Sequence, residues 1–189
     1  MIPIIDAGHG SNTPGKRSEG FYKNGKVLLK ENSVNEAVCN KLSFLFWNNL
    51  KKAYFISNEW NDISLQERCN REIEVSKGIR RLGKKPFFLS IHADAFHVKN
   101  KAKGGRFFYF SNSGKNLAYQ LTAYLRANGY QLNLREPKKA NFKVLRDTSS
   151  PAVLFEMGFM TTESDLKLLL NDDFRNKTAL LLYKAIVNL

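Results

Sequence analysis

The sequence predicts one layered α/β domain, a mostly parallel twisted sheet with helices on both faces. Short apolar runs alternate with stretches of helical period, which is the pattern of strands joined by crossover helices. No internal repeat, low-complexity tract or linker rich in Pro, Gly or Ser divides the chain. A length of 189 residues is comfortable for one domain and tight for two, so residues 1–189 are expected to form a single domain.

The elements follow in order. Residues 2–5 read as a buried strand, and residues 8–30 as a polar, glycine-containing loop. Residues 31–49 carry Val34, Val38, Leu42 and Leu45 at helical spacing. Residues 53–57 form a short strand. Ser64 and Glu67 make an S-x-x-E capping box that opens a helix over Leu65–Arg81. Residues 87–91 are strongly apolar and run into His92; residues 106–110 are an aromatic-rich strand. Leu117, Leu121 and Leu125 mark a helix stopped by Gly129. Residues 152–155, behind Pro151, form the last core strand and end at Glu156. Thr162 with Asp165 caps a short helix, and Asp172 starts a final one.

Composition narrows the class. With 43% hydrophobic residues the chain can build a core without disulfides or a metal staple. No apolar run approaches the ~18 residues of a transmembrane helix. Cys39 and Cys69 fit no CxxC pattern and read as small buried hydrophobes. The first strand begins at once, with no basic region and apolar stretch before it, so synthesis in the cytoplasm without a signal peptide is expected. The 30 Lys and Arg against 17 Asp and Glu leave a net charge of +13, which calls for a polyanionic neighbour.

In a parallel sheet, ligands bind beyond the carboxyl ends of the strands. Those ends read Asp6-Ala7-Gly8-His9-Gly10, His92-Ala93-Asp94 and Glu156-Met157-Gly158. Parallel pairing brings His9, His92 and Glu156 to one edge, a plausible metal or acid–base constellation. Four stretches then occur in order: IIDAGHG, KENSVNEAV, LSIHADA and PAVLFEMGFMTTESDLKLL. Together they resemble the zinc-dependent N-acetylmuramoyl-L-alanine amidases of the amidase-3 type, which cleave peptidoglycan, and the resemblance runs from residue 2 almost to the C-terminus.

The resemblance implies Zn²⁺ as cofactor, held by His9, Glu31 and His92, with Glu156 as the catalytic carboxylate. Three protein ligands of this kind leave a fourth position open for water or substrate. Asp6 is expected to fix a turn or orient His9 from behind. Asn35, one turn after Glu31, either bonds into the site or faces solvent. His97 reads as a loop residue, and Glu163 and Asp165 as servants of a helix cap. Arg68 stands where the family often has Arg, whereas Ala7 and Ser11 replace a common Pro and Gly of the first motif. The short segment between His92 and Arg106 has no room for an occluding helix, so an open site is expected.

Basic residues cluster at Lys16-Arg17, Lys23-Lys26-Lys30, Arg80-Arg81, Lys84-Lys85, Lys99-Lys101-Lys103 and Lys138-Lys139. With the resemblance, the expected partners are peptidoglycan and, through this surface, anionic envelope polymers; no motif for sequence-specific nucleic-acid binding is present, and a monomer is expected. The expected activity is hydrolysis of the amide between N-acetylmuramic acid and L-alanine, as in a bacteriophage endolysin or a wall-lytic amidase. Two other classes stay open at this level: a metal-dependent nuclease or phosphoesterase, and a non-catalytic module that binds anionic polymers.

Overall fold

Alternating apolar residues on strand β1 (Ile2–Ala7) divide the molecule into two cores. Ile5 and Ala7 face one hydrophobic cluster and Ile4 faces the other, as the two-residue period of a strand requires. The computed structural model describes residues 1–57 and 59–189. After β1 come a small hairpin of β2 (Tyr22–Lys23) and β3 (Lys26–Val27), helix α1 (Glu31–Asn48), β4 (Tyr54–Phe55) and α2 (Leu65–Arg81). Then follow β5 (Pro86–Asp94), β6 (Arg106–Tyr109), α3 (Asn112–Ala127), β7 (Lys138–Lys139), α4 (Lys143–Arg146), β8 (Ala152–Phe159), α5 (Glu163–Leu170) and α6 (Asp172–Val187).

The six-stranded sheet has the order β4-β1-β5-β8-β6-β7. Pairings within β4-β1-β5-β8 are parallel, and β6 runs antiparallel to β8. The mixed α/β, mostly parallel architecture is the one expected, and β6 is its reversed strand. Helices α1, α3, α5 and α6 cover one face, where Val38, Leu42, Leu121, Leu169 and Leu182 pack on Leu89, Phe107 and Phe155. Helices α2 and α4 cover the other, where Ile79, Val144 and Leu145 meet Ile4, Phe88 and Leu154. No helix among the described residues is long and apolar enough to cross a membrane.

Local signals set most boundaries. Ser64 Oγ accepts the Glu67 N–H at 3.1 Å, so the cap of α2 forms, while the Glu67 carboxylate goes to Arg71 instead of back to the cap. Asn171 caps α6 by accepting from the Phe174 N–H at 3.1 Å, one residue before the expected start. Thr162 precedes α5 without a side-chain cap. Asp165 is buried and accepts the N–H groups of Gly104 at 2.7 Å and Phe159 at 3.0 Å, tying the 95–105 segment to β8. Glu163 pairs with Lys167 on the surface. Both cysteines are free and buried.

Candidate metal centre

The parallel strands place their last residues at one edge, and strand parity decides which side those residues face. Asp6, Ser90, His92, Leu154 and Glu156 lie an even number of residues from Ile4, Phe88 and Ala152, so they share the face covered by α2 and α4. In register, Asp6 sits beside Ser90 and His92 beside Glu156. A β-bulge follows His92, where pairing resumes at Asp94 and Phe159. Beyond β1 the chain turns sharply at His9, a non-glycine residue with φ of 65°. Gly8 permits the turn to close on the site, since a Cβ there would stand 2.1 Å from the His92 ring.

Glu31 enters from the other direction, as the first residue of α1. Its N–H donates to the Lys16 carbonyl at 2.9 Å, and its carboxylate leaves the helix axis for the two histidines. Glu31 Oε2 lies 3.3 Å from His9 Nε2, and Oε1 lies 2.9 Å from His92 Nδ1. The two imidazole rings stand 5.0 Å apart and nearly perpendicular. One ligand atom from each of His9, Glu31 and His92 falls within 4.8 Å of the others. Asn35, one turn on, donates to the Gly8 carbonyl at 2.9 Å and lies 3.4 Å from Glu31 Oε1, so it is buried in the site and does not face solvent.

The donor chemistry of this group fits a metal ion. Ser90 Oγ donates its one proton to Asp6 Oδ2 at 2.5 Å, so its oxygen accepts from His92 Nε2 at 3.0 Å. A neutral His92 therefore carries its proton on Nε2 and turns the Nδ1 lone pair toward the Glu31 carboxylate. Two acceptors facing each other at 2.9 Å call for a cation or a shared proton between them. Two imidazole nitrogens and one carboxylate oxygen are a donor set that fits zinc among the divalent metals that imidazole binds.

Asp6 acts on His92 through Ser90, and not on His9 as expected. It is fully buried and meets Arg68 of α2, whose Nη1 also donates to the Ala7 carbonyl at 2.7 Å and whose Nη2 donates to Asp62 at 2.8 Å. Arg68 thus supports the site from behind.

Electrostatics divide the carboxylates. Burial would raise the Glu31 carboxyl, but the adjoining imidazoles of His9 and His92 outweigh it and hold the group below its ordinary range. The Glu156 carboxyl is pushed well above its ordinary range by burial, and next by the charges of Glu31 and Asp94. Glu156 Oε2 is buried and has no hydrogen-bond partner among the described residues. Asp94 is likewise raised, chiefly by burial. A cleft of about 460 Å³ opens over the group, lined by His9, Glu31, His92, Asp94 and Glu156 and, across from them, by Leu65 and by Phe142, Lys143 and Val144. The 95–105 segment carries no helix over it. His97 is exposed, its ring lies tilted beside that of Phe96, and it stands outside the group.

Sequence reasoning gave no place in the site to Ser90, Lys16 or Asp62, and named Asp94 only as a strand-end residue. Ser90 had a signal, since a residue two before His92 on one strand shares its face. Lys16 and Asp62 lie on loops and had none.

Known proteins resemble this chain over most of its length. The family model described as N-acetylmuramoyl-L-alanine amidase matches residues 4–188. The probable cell wall amidase LytH of Staphylococcus saprophyticus is 26% identical over 162 residues, covering 86% of this chain and 49% of that protein. LytH of Staphylococcus aureus is 28% identical over the same length. The chain thus spans about half the length of these curated relatives. The N-acetylmuramoyl-L-alanine amidase AmiC2 of Nostoc punctiforme superposes with a TM-score of 0.76 at 26% identity, covering 100% of this chain and 96% of that one. An amidase from Clostridium difficile 630 shares the fold with a TM-score of 0.81 at 24% identity, covering 99% and 95%. With the fold, the ordered motifs and a match over nearly every residue in agreement, the chain belongs to the Amidase_3 family of N-acetylmuramoyl-L-alanine amidases.

Proposed function

We propose that the chain hydrolyses the amide between the lactyl group of N-acetylmuramic acid and L-alanine in peptidoglycan, as one catalytic unit with zinc at His9, Glu31 and His92. The observation that supports it best is the convergence of those three side chains, within 4.8 Å, in a cleft beside Glu156, whose buried Oε2 has no hydrogen-bond partner among the described residues. Zinc bound there supplies a Lewis acid for the amide carbonyl and for water.

The chain's own groups do the rest. Ser90 and Asp6 orient His92, and Asn35 and the helix start orient Glu31. Glu156 accepts a proton at its carboxylate from the attacking water and delivers it to the alanine nitrogen, which cannot leave readily as an amide anion. Mass spectrometry of digested peptidoglycan tests the reading. Stem peptides with a new L-alanine amino terminus support it; new reducing sugar ends, or no cleavage, overturn it.

Strong chelation is expected to abolish wall digestion, and added Zn²⁺ to restore it. Circular dichroism should change little, because the two hydrophobic cores are built without the cluster. Glu31→Ala should lower metal content and activity together. Full activity in a sample shown to be metal-free would rule out the metal assignment.

The basic surface supports a wall-lytic role, such as that of a bacteriophage endolysin, in which Lys23, Lys26, Lys84, Lys85, Lys138 and Lys139, all exposed, draw the enzyme to anionic envelope polymers. Binding to intact walls should therefore weaken as salt rises and the Debye length shrinks from ~10 Å at 0.1 M to ~3 Å at 1 M. Hydrolysis of a small soluble muropeptide should be much less sensitive. Equal salt dependence on both substrates argues against steering by charge.

A further inference from the structure

The reversed strand β6 puts its first residue where its parallel neighbours put their last. Arg106 is paired with Glu156 across β6 and β8, and Glu156 is paired with His92 across β8 and β5. His92, Glu156 and Arg106 therefore form one row on one face of the sheet, with the arginine on the far side of Glu156 from the histidines.

A second arginine joins this end of the row. The Arg135 N–H donates to the Gly105 carbonyl at 2.9 Å, immediately before β6. Its Nη2 donates to the Gly104 carbonyl at 3.3 Å, and its guanidinium lies 4.8 Å from the centre of the Phe159 ring. Burial, and then the neighbouring charge of Arg106, push the Arg135 guanidinium below its ordinary range; Asp94, Asp165 and Glu156 act in the opposite sense, and among the described residues none of them forms an ion pair with it.

These two guanidinium groups are unlike the others near acids. Arg68, Arg71, Arg126 and Arg146 each reach a carboxylate. The Arg106 guanidinium has no hydrogen bond or ion pair among the described residues, only the ring of Phe108 at 5.9 Å, and the Nε atoms of both Arg106 and Arg135 are buried without a partner there. Half-buried like charges left side by side with donors unmet fit an anion that arrives with the substrate.

We propose that Arg106 and Arg135 form a carboxylate subsite for the peptide half of the substrate. The proposal rests on the amidase reading and adds a preference to it. The lactyl carboxyl of the sugar is consumed in the scissile amide, so the acids near the bond belong to the stem peptide. The departing nitrogen takes its proton at Glu156, and the peptide beyond it extends along the row toward the arginines. The first acid met there is the α-carboxyl of the γ-linked D-glutamyl residue that follows alanine, which walls carry either free or amidated. A planar guanidinium fork matches a carboxylate through two N–H donors and cannot do so with an amide.

The test uses two soluble glycan-chain fragments that differ only in that group, free acid or amide. The metal-loaded protein should release the free-acid stem with a kcat/KM about tenfold to a hundredfold higher, mainly through KM. Arg106→Gln and Arg135→Gln should bring that ratio toward one with metal content unchanged. Arg80→Gln removes the same charge from the far end of α2, where Arg80 bonds Ser149, and should leave the ratio as it is. Equal cleavage of the two fragments by the unaltered protein overturns the subsite and leaves the amidase reading standing. An equal fall with Arg80→Gln assigns the effect to overall charge and also overturns it. Cleavage of neither fragment overturns both. The unaltered protein's ratio decides the matter even if a variant fails to fold.

Discussion

Glu156→Gln is expected to lower turnover about 10²–10⁴-fold while the protein keeps its metal. The carboxylate sits on β8 directly beside His92, yet it is absent from the group whose ligand atoms converge. Its Oε2 is buried with no partner among the described residues, and burial together with Glu31 and Asp94 makes it hold a proton more tightly than an ordinary glutamate. A carboxylate of that kind is suited to take a proton from water and return it to nitrogen in the same turnover. Glutamine keeps the shape and removes the proton acceptor. Steady-state rates on soluble muropeptide, measured beside elemental analysis of the same sample, separate the two effects. Near-normal turnover at full metal occupancy would show that Glu156 does not carry the proton. Glu31→Ala should differ in kind, since rate and metal content fall together there.

The alternation of strands and helices was legible because each element is either fully apolar or strongly periodic, and parallel pairing followed from the crossovers. That logic does not reach β6, which joins β5 to α3 without a helix between the two strands and so can enter the sheet reversed. That gap hid Arg106, whose place beside Glu156 depends on the reversal. His9, His92 and Glu156 were readable as strand-end residues, but Glu31 was not. An acidic residue in a first helical turn is ordinary, and only its match to a family motif singled it out. The supporting contacts of Asp6 were misassigned for a different reason: sequence proximity to His9 suggested that partner, whereas strand register delivers Asp6 to Ser90 and hence to His92.

Arg68→Ala is expected to destabilise the fold by about 3–5 kcal/mol, the usual cost of stranding one member of a buried ion pair. In a domain of this size that corresponds to a fall in Tm of roughly 6–20 °C. Arg68 is 3% exposed and Asp6 is 0% exposed, so neither charge has water to fall back on. The guanidinium also serves the Ala7 carbonyl at 2.7 Å, Asp62 at 2.8 Å and the Ile63 carbonyl at 3.3 Å, and alanine strands all of these at once. Removing both charges should cost less than removing one, because no lone carboxylate is then left in the interior. Arg68→Met with Asp6→Asn is thus expected to unfold later than Arg68→Met alone, as read by urea denaturation of the metal-free proteins. The same lesion should reach the metal. With Arg68 gone, Asp6 no longer has a fixed partner to hold it against Ser90, and Ser90 loses its grip on His92 Nε2. Zinc affinity should then drop about 10- to 100-fold, as it does when a ligand's outer partner is removed. A loss of stability below about 1 kcal/mol, or a double variant no more stable than the single one, would show that the buried pair is not what holds the strand end in place.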